Sequence, residues 1–274
     1  MLPALLTLAV LVGPVPAPGS VVERLDSPRF GLAEPRWDLV TRRARFTGTY
    51  YTIRTASVDP SGAPLMDKSG APLGPSISNR DFCHAALEGT VRVKSGRRPT
   101  FQLFGFAGTA TTSQVDCAPF YPHHPTLGRA RFRRVARASG SMAPVLAFRS
   151  IAVDPSQIPL GSAVYVPAAR GARLGVFEGR EVVHDGWFLA TDVGGDVRGR
   201  TIDFFIGTAR KNPFSFARGR RGQSFDVYVV SDPGTKAELV DQHVRPRAAV
   251  AEARNSRRPV GGHRNSSTPG TRFE

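Results

Sequence analysis

Asp192-Val193-Gly194-Gly195-Asp196-Val197-Arg198-Gly199-Arg200-Thr201-Ile202-Asp203 places carboxylates at both ends of a glycine-rich turn. The flanking runs, Trp187-Phe188-Leu189-Ala190-Thr191 and Phe204-Phe205-Ile206, are aromatic and β-branched, which predicts buried strands on either side. Glycines between them permit a tight reversal that brings Asp192 and Asp203 near one another. Two close carboxylates resist ionising together, so one pKa rises and a protonated acid becomes available near neutral pH. Along a strand Asp203 and Phe205 share one face while Ile202, Phe204 and Ile206 take the other, so Asp203 points away from the apolar packing and toward a cleft. The simpler alternative is that Asp192 only caps the turn.

A third aspartate lies upstream in Ile151-Ala152-Val153-Asp154-Pro155, followed by Ile158-Pro159-Leu160-Gly161 and the short strand-like Ala163-Val164-Tyr165-Val166. This order, continued by Asp-Val-Gly-Gly and Ile-Asp-Phe-Phe, resembles the three-aspartate domain at the C-terminal end of the membrane-bound lytic murein transglycosylase A family and of related bacterial cell-wall proteins. Phe46-Thr47-Gly48-Thr49-Tyr50-Tyr51-Thr52 and the stretch from Leu87-Glu88-Gly89-Thr90 to Phe101-Gln102-Leu103-Phe104-Gly105-Phe106-Ala107-Gly108 are similar to earlier parts of that family, more weakly. Thr49 displaces the aromatic pair, and no proline follows it.

The resemblance implies an all-β dominated fold, a six-stranded double-psi β-barrel with a small β-rich accessory lobe. Composition agrees independently. Short apolar runs such as Val91-Arg92-Val93 and Phe225-Asp226-Val227-Tyr228-Val229-Val230 have strand length, and 28 glycines and 23 prolines punctuate the chain. No long helical stripe is expected. The domain reading is a signal peptide over 1–20, a linker over 21–44, N-terminal strand material and the accessory lobe over 45–136, the barrel over 137–231 and a disordered basic tail over 232–274.

Leu2 to Val12 has the length of a secretory h-region and is too short to span a bilayer, so export to the periplasm, wall or exterior is expected. In an exported chain Cys83 and Cys117 form a disulfide; the alternative is two buried thiols. Neither cysteine has neighbours at zinc-ligand spacing, so no metal and no cofactor is expected. The formal net charge is +15, and lysine occurs only at 68, 94, 211 and 236, so the basicity is arginine. Arg129-Ala130-Arg131-Phe132-Arg133-Arg134 and Arg218-Gly219-Arg220-Arg221 either form a solvated surface or attract an anionic wall or membrane surface. No nucleic-acid module is recognisable.

By resemblance the partner is the peptidoglycan glycan strand, and the reaction cleaves its MurNAc–GlcNAc bond with formation of a 1,6-anhydro ring. One residue, Asp203, protonates the leaving oxygen and then accepts the proton of the C6 hydroxyl. Asp192 raises its pKa or orients it, and Asp154 supports the cleft. Gly48, Tyr50, Tyr51, Gly194, Gly195 and Arg198 are the expected substrate contacts. Two other classes remain: a non-catalytic, expansin-like glycan-binding barrel, and a hydrolase in which Asp154 or Asp192 activates water.

Overall fold

A computed structural model describes residues 26–96, 100–177, 180–219, 223–245 and 247–248. Six strands close a barrel in the order Ala163–Tyr165, Trp187–Asp192, Ser150–Val153, Thr201–Phe205, Val40–Tyr51 and Phe225–Val230, the last pairing back to the first. Trp187–Asp192 runs parallel to Ser150–Val153, and Thr201–Phe205 runs parallel to Val40–Tyr51; the other pairings are antiparallel. Side chains rather than a lumen fill a barrel of this size. Phe188, Phe204 and Phe214 meet at its centre with ring centroids 5.0 to 5.6 Å apart, and Phe46, Ile151, Val164 and Ile202 surround them. The expected six-stranded barrel is therefore present, with a β-rich lobe beside it.

That lobe is a four-stranded sheet of Arg54–Ser57, Thr90–Ser95, Thr100–Thr109 and Ala130–Val135, joined by the hairpin Ala63–Met66 and Pro72–Ile77. Its core packs Leu65, Ile77, Phe104 and Phe132 against Phe82 of a helix, Asn79–Glu88. The helix starts where the Ser78 side chain accepts the Asp81 N–H, and ends at Gly89 with φ +76°. Cys83 on this helix is bonded to Cys117, with Cα atoms 5.6 Å apart.

Three boundaries differ from expectation. The linker over 21–44 is not free: the barrel strand begins at Val40, and Gly31 and Leu32 donate backbone N–H groups to Asp185 at 2.9 Å each. Asp185 in turn holds Arg149, fully buried, through two contacts of 2.6 and 2.7 Å. The barrel consequently draws one strand from the N-terminal region rather than being confined to 137–231.

The disordered tail does not begin at 232. Pro233–Val244 is a helix capped by Asp232, whose side chain accepts the Gly234 N–H at 3.0 Å, and it buries Leu239, Gln242 and His243. His243 bridges the Leu239 carbonyl and the Ser150 hydroxyl, while Arg29 reaches Glu238 and Asp241. Arg247–Ala248 then pairs with Asp26–Ser27. Neither helix carries a long apolar stripe: the first buries only Phe82, Cys83 and Ala85, and two of the three residues buried by the second are polar. The expected signal over 1–20, Arg220, Arg221 and the chain beyond 248 lie outside the described residues. Among the described residues no helix is long and apolar enough to cross a membrane.

Candidate active site

Asp203 sits at the middle of its strand, with Ile202 and Phe204 fully buried on the opposite face. Its register partners are Thr49 on one side and Ala152 on the other. The Thr49 hydroxyl donates to Asp203 Oδ1 at 2.8 Å. Burial is the main force that pushes the Asp203 carboxyl up to about 6; the Thr49 bond opposes it and the charge of Asp192 assists. Proximity of Asp192, expected either to raise this pKa or to orient the acid, is thus the smaller contributor to the shift.

Asp192 ends the preceding barrel strand. Its Oδ1 accepts the N–H and hydroxyl of Ser141 at 2.9 and 2.7 Å and the Val193 N–H at 2.9 Å, and its Oδ2 accepts Tyr51 Oη at 3.2 Å. Burial raises its pKa, and these donors oppose that rise. Tyr51 is pushed well above its ordinary value by burial and by the charges of Asp192 and Asp203, so it stays a phenol and a donor. Its ring lies 5.0 Å from that of Phe205.

A third carboxyl faces the same cavity, of about 290 Å³, and it is Glu88. Glu88 is the last residue of the accessory-lobe helix, placed by the left-handed cap at Gly89, whose carbonyl accepts the Phe106 N–H at 2.7 Å. Burial, reinforced by the charges of Asp203 and Asp192, raises it to about 7. The C-terminal end of the helix adds to this, since it disfavours negative charge. Glu88 was not among the expected site residues. The signal that could have found it is local: Ser78 and Asp81 at capping-box spacing and Gly89 enclose a ten-residue helix ending on a carboxylate.

Asp154 does not line that cavity. Its Oδ1 accepts the N–H and hydroxyl of Ser156 at 2.9 and 2.7 Å, and its Oδ2 accepts the Gly199 N–H at 2.7 Å. These bonds hold its pKa below the usual carboxylate range. It is a clasp on the turn between Asp192 and Asp203, so the three aspartates do not converge. Gly199, with φ +57°, is the glycine of this turn that requires a left-handed backbone; Gly194 and Gly195 do not.

Of the other expected contacts, Tyr51, Gly194 and Gly195 line the cavity. Gly48 does not: a Cβ there would come within 2.9 to 3.1 Å of the Phe225 and Phe204 rings, so it is a packing glycine in the barrel. Tyr50 is 46% exposed and points to the other side of its strand. Arg198 turns back onto the carbonyls of Gly194 and Val197. At the rim, Asp196 meets His124 of the accessory lobe at 3.2 Å. Among the described residues no group of three or more potential ligands is arranged to hold a metal ion.

The site is therefore a cleft between barrel and lobe that gathers three partly desolvated carboxyls, the exposed Asp196 at the rim, a phenol and a threonine hydroxyl, and among the described residues no cation lines it. Such a set can donate and recover a proton near neutral pH.

No curated protein sequence matches the chain. Among solved structures it is similar to MltA of E. coli with bound chitohexaose, at 16% identity over 68% of this chain and 71% of that one, with a TM-score of 0.46. A membrane-bound lytic murein transglycosylase from Agrobacterium tumefaciens matches at 15% identity over 71% and 75% of the two chains, with a TM-score of 0.41. The lytic transglycosylase LtgG of Burkholderia pseudomallei matches at 20% identity over 68% and 70%, with a TM-score of 0.33. Residues 149–231, which hold Asp154, Asp192 and Asp203 and five of the six barrel strands, match the family model of the 3D domain.

Proposed function

We propose that the protein is a peptidoglycan lytic transglycosylase in which Asp203 is the single acid/base. The observation that carries the reading is a carboxyl raised to about 6 at the floor of an open cleft, hydrogen-bonded to Thr49 and flanked by Asp192 and Glu88. Protonated Asp203 donates to the departing glycosidic oxygen; as carboxylate it then takes the proton of the muramyl C6 hydroxyl, which closes the 1,6-anhydro ring without water. Tyr51 and Ser141 fix Asp192, whose charge keeps the Asp203 proton from leaving early. Glu88 holds its own proton to higher pH and can donate to a sugar oxygen across the cleft. The disulfide between Cys83 and Cys117 fits a protein that works outside the reducing cytoplasm.

Glu88 also favours a second reading, hydrolysis, in which a second carboxylate facing the first activates water. Asp154, which lines no part of the cavity, is not that base. Digestion of purified peptidoglycan decides between them. Anhydro-muropeptides support transglycosylation, reducing ends support hydrolysis, and binding without release of either supports a glycan-binding barrel.

A further inference from the structure

A second crevice, of about 430 Å³, lies where the accessory sheet meets the barrel loop that follows Phe205. The sheet contributes Thr55, Arg92, Lys94 and Phe101, which share one face: Thr55 is the register partner of Arg92, and Lys94 that of Phe101. The opposite face, with Ala56, Val91, Val93 and Phe104, packs into the core of the lobe. The Arg92 guanidinium lies 3.6 Å from the centroid of the Phe101 ring, which holds it against the wall of the crevice. Arg210 enters from the barrel side, on a loop tied down by the Ile53 N–H bonding to the Gly207 carbonyl at 2.9 Å.

Three cations and several hydroxyls therefore converge, and among the described residues no acidic side chain lines the crevice, whereas Glu88, Asp192, Asp196 and Asp203 and no described cation line the neighbouring cleft. One chain segment connects the two: Thr49 and Tyr51 line the acidic cleft, and Thr52 and Ile53 line the basic crevice. Three residues of extended chain separate Thr49 from Thr52, about 10 Å.

A neutral glycan offers nothing to a cluster of cations. The peptide attached to a muramyl residue carries carboxylates within that reach of the sugar. We infer that this crevice is a subsite for the carboxylates of the peptide stem borne by the glycan strand in the acidic cleft. The assignment rests on the glycan-cleaving reading, and it makes peptide-bearing strands the preferred substrate.

The test compares the parent with Lys94→Gln/Arg210→Gln, two exposed positions whose replacement leaves the core intact. The parent is expected to show a lower KM for strands with intact peptides than for amidase-stripped strands, which keep only the lactyl carboxylate. In the variant, KM for peptide-bearing strands should rise about tenfold, while stripped strands are turned over alike by both proteins. Equal KM values for the two substrates in the parent, or an equal loss on both in the variant, would overturn the subsite. Calorimetric titration with an isolated disaccharide-tetrapeptide needs no turnover. It should bind the parent, more weakly at high salt, and bind the variant less well. Inorganic phosphate competing as tightly as the muropeptide would reduce the crevice to a non-specific anion patch and refute the inference. Should neither strand be cleaved, the glycan-cleaving reading fails, and the titration still decides the subsite.

Discussion

Burial of Asp203 carries a cost to folding that can be measured apart from catalysis. Its carboxyl moves from an ordinary 3.8 to about 6 in the folded protein. A raised folded pKa means that the native state binds a proton the unfolded chain has already released, so stability is full below about pH 4 and is lost as pH rises through 6. Two pH units of displacement at 1.36 kcal/mol each give about 3 kcal/mol. Asp203→Asn keeps the shape, and its carbonyl can still accept from Thr49, but it has no charge to desolvate. The variant should therefore match the parent at pH 4 and exceed it by about 3 kcal/mol at pH 7, while releasing no anhydro-muropeptides. Urea unfolding of both proteins at pH 4, 5, 6 and 7 gives the curve. A stability difference that does not change with pH, or a variant less stable at pH 7, would refute the account of the site as a desolvated acid.

Other outcomes follow from the same geometry. Asp192→Asn should lower the rate at every pH, because Ser141 and Tyr51 lose their charged acceptor, and should move the basic limb of the pH–rate profile toward acid; a limb moved toward alkali would contradict the stated role. Asp154→Ala should lower the thermal unfolding midpoint through the lost Gly199 clasp and reduce turnover without moving the limb, as thermal unfolding and the profile would record. Replacing Cys83 and Cys117 by serine should cost about 3 to 4 kcal/mol in denaturant unfolding, given a closed segment with a sequence separation of 34. Arg149→Met leaves the buried Asp185 carboxylate without its cation and should destabilise the protein by about 3 to 5 kcal/mol, with Asp185→Asn in the same background restoring part of the loss.

The residues between Trp187 and Ile206 make their strands and turn legible because the information is local. Alternation assigned Ile202 and Phe204 to the core and Asp203 to the cleft, and motif order pointed to a barrel with the acid upon it. The pairing of strand Val40–Tyr51 with Thr201–Phe205 is not local, and neither is the docking of Pro233–Val244 against Ser150, so a linker and a tail were expected where packed elements stand. Their stability comes from contacts with distant segments, Arg29 with Asp241 and Asp185 with Gly31, and no periodicity within the segment announces these. The same holds for the site. Sequence named three aspartates, but a carboxylate's chemistry depends on its solvent and neighbours. Folding turned Asp154 outward onto backbone and hydroxyl donors, left Asp192 and Asp203 half-buried and partly desolvated, and brought Glu88 to them from another lobe.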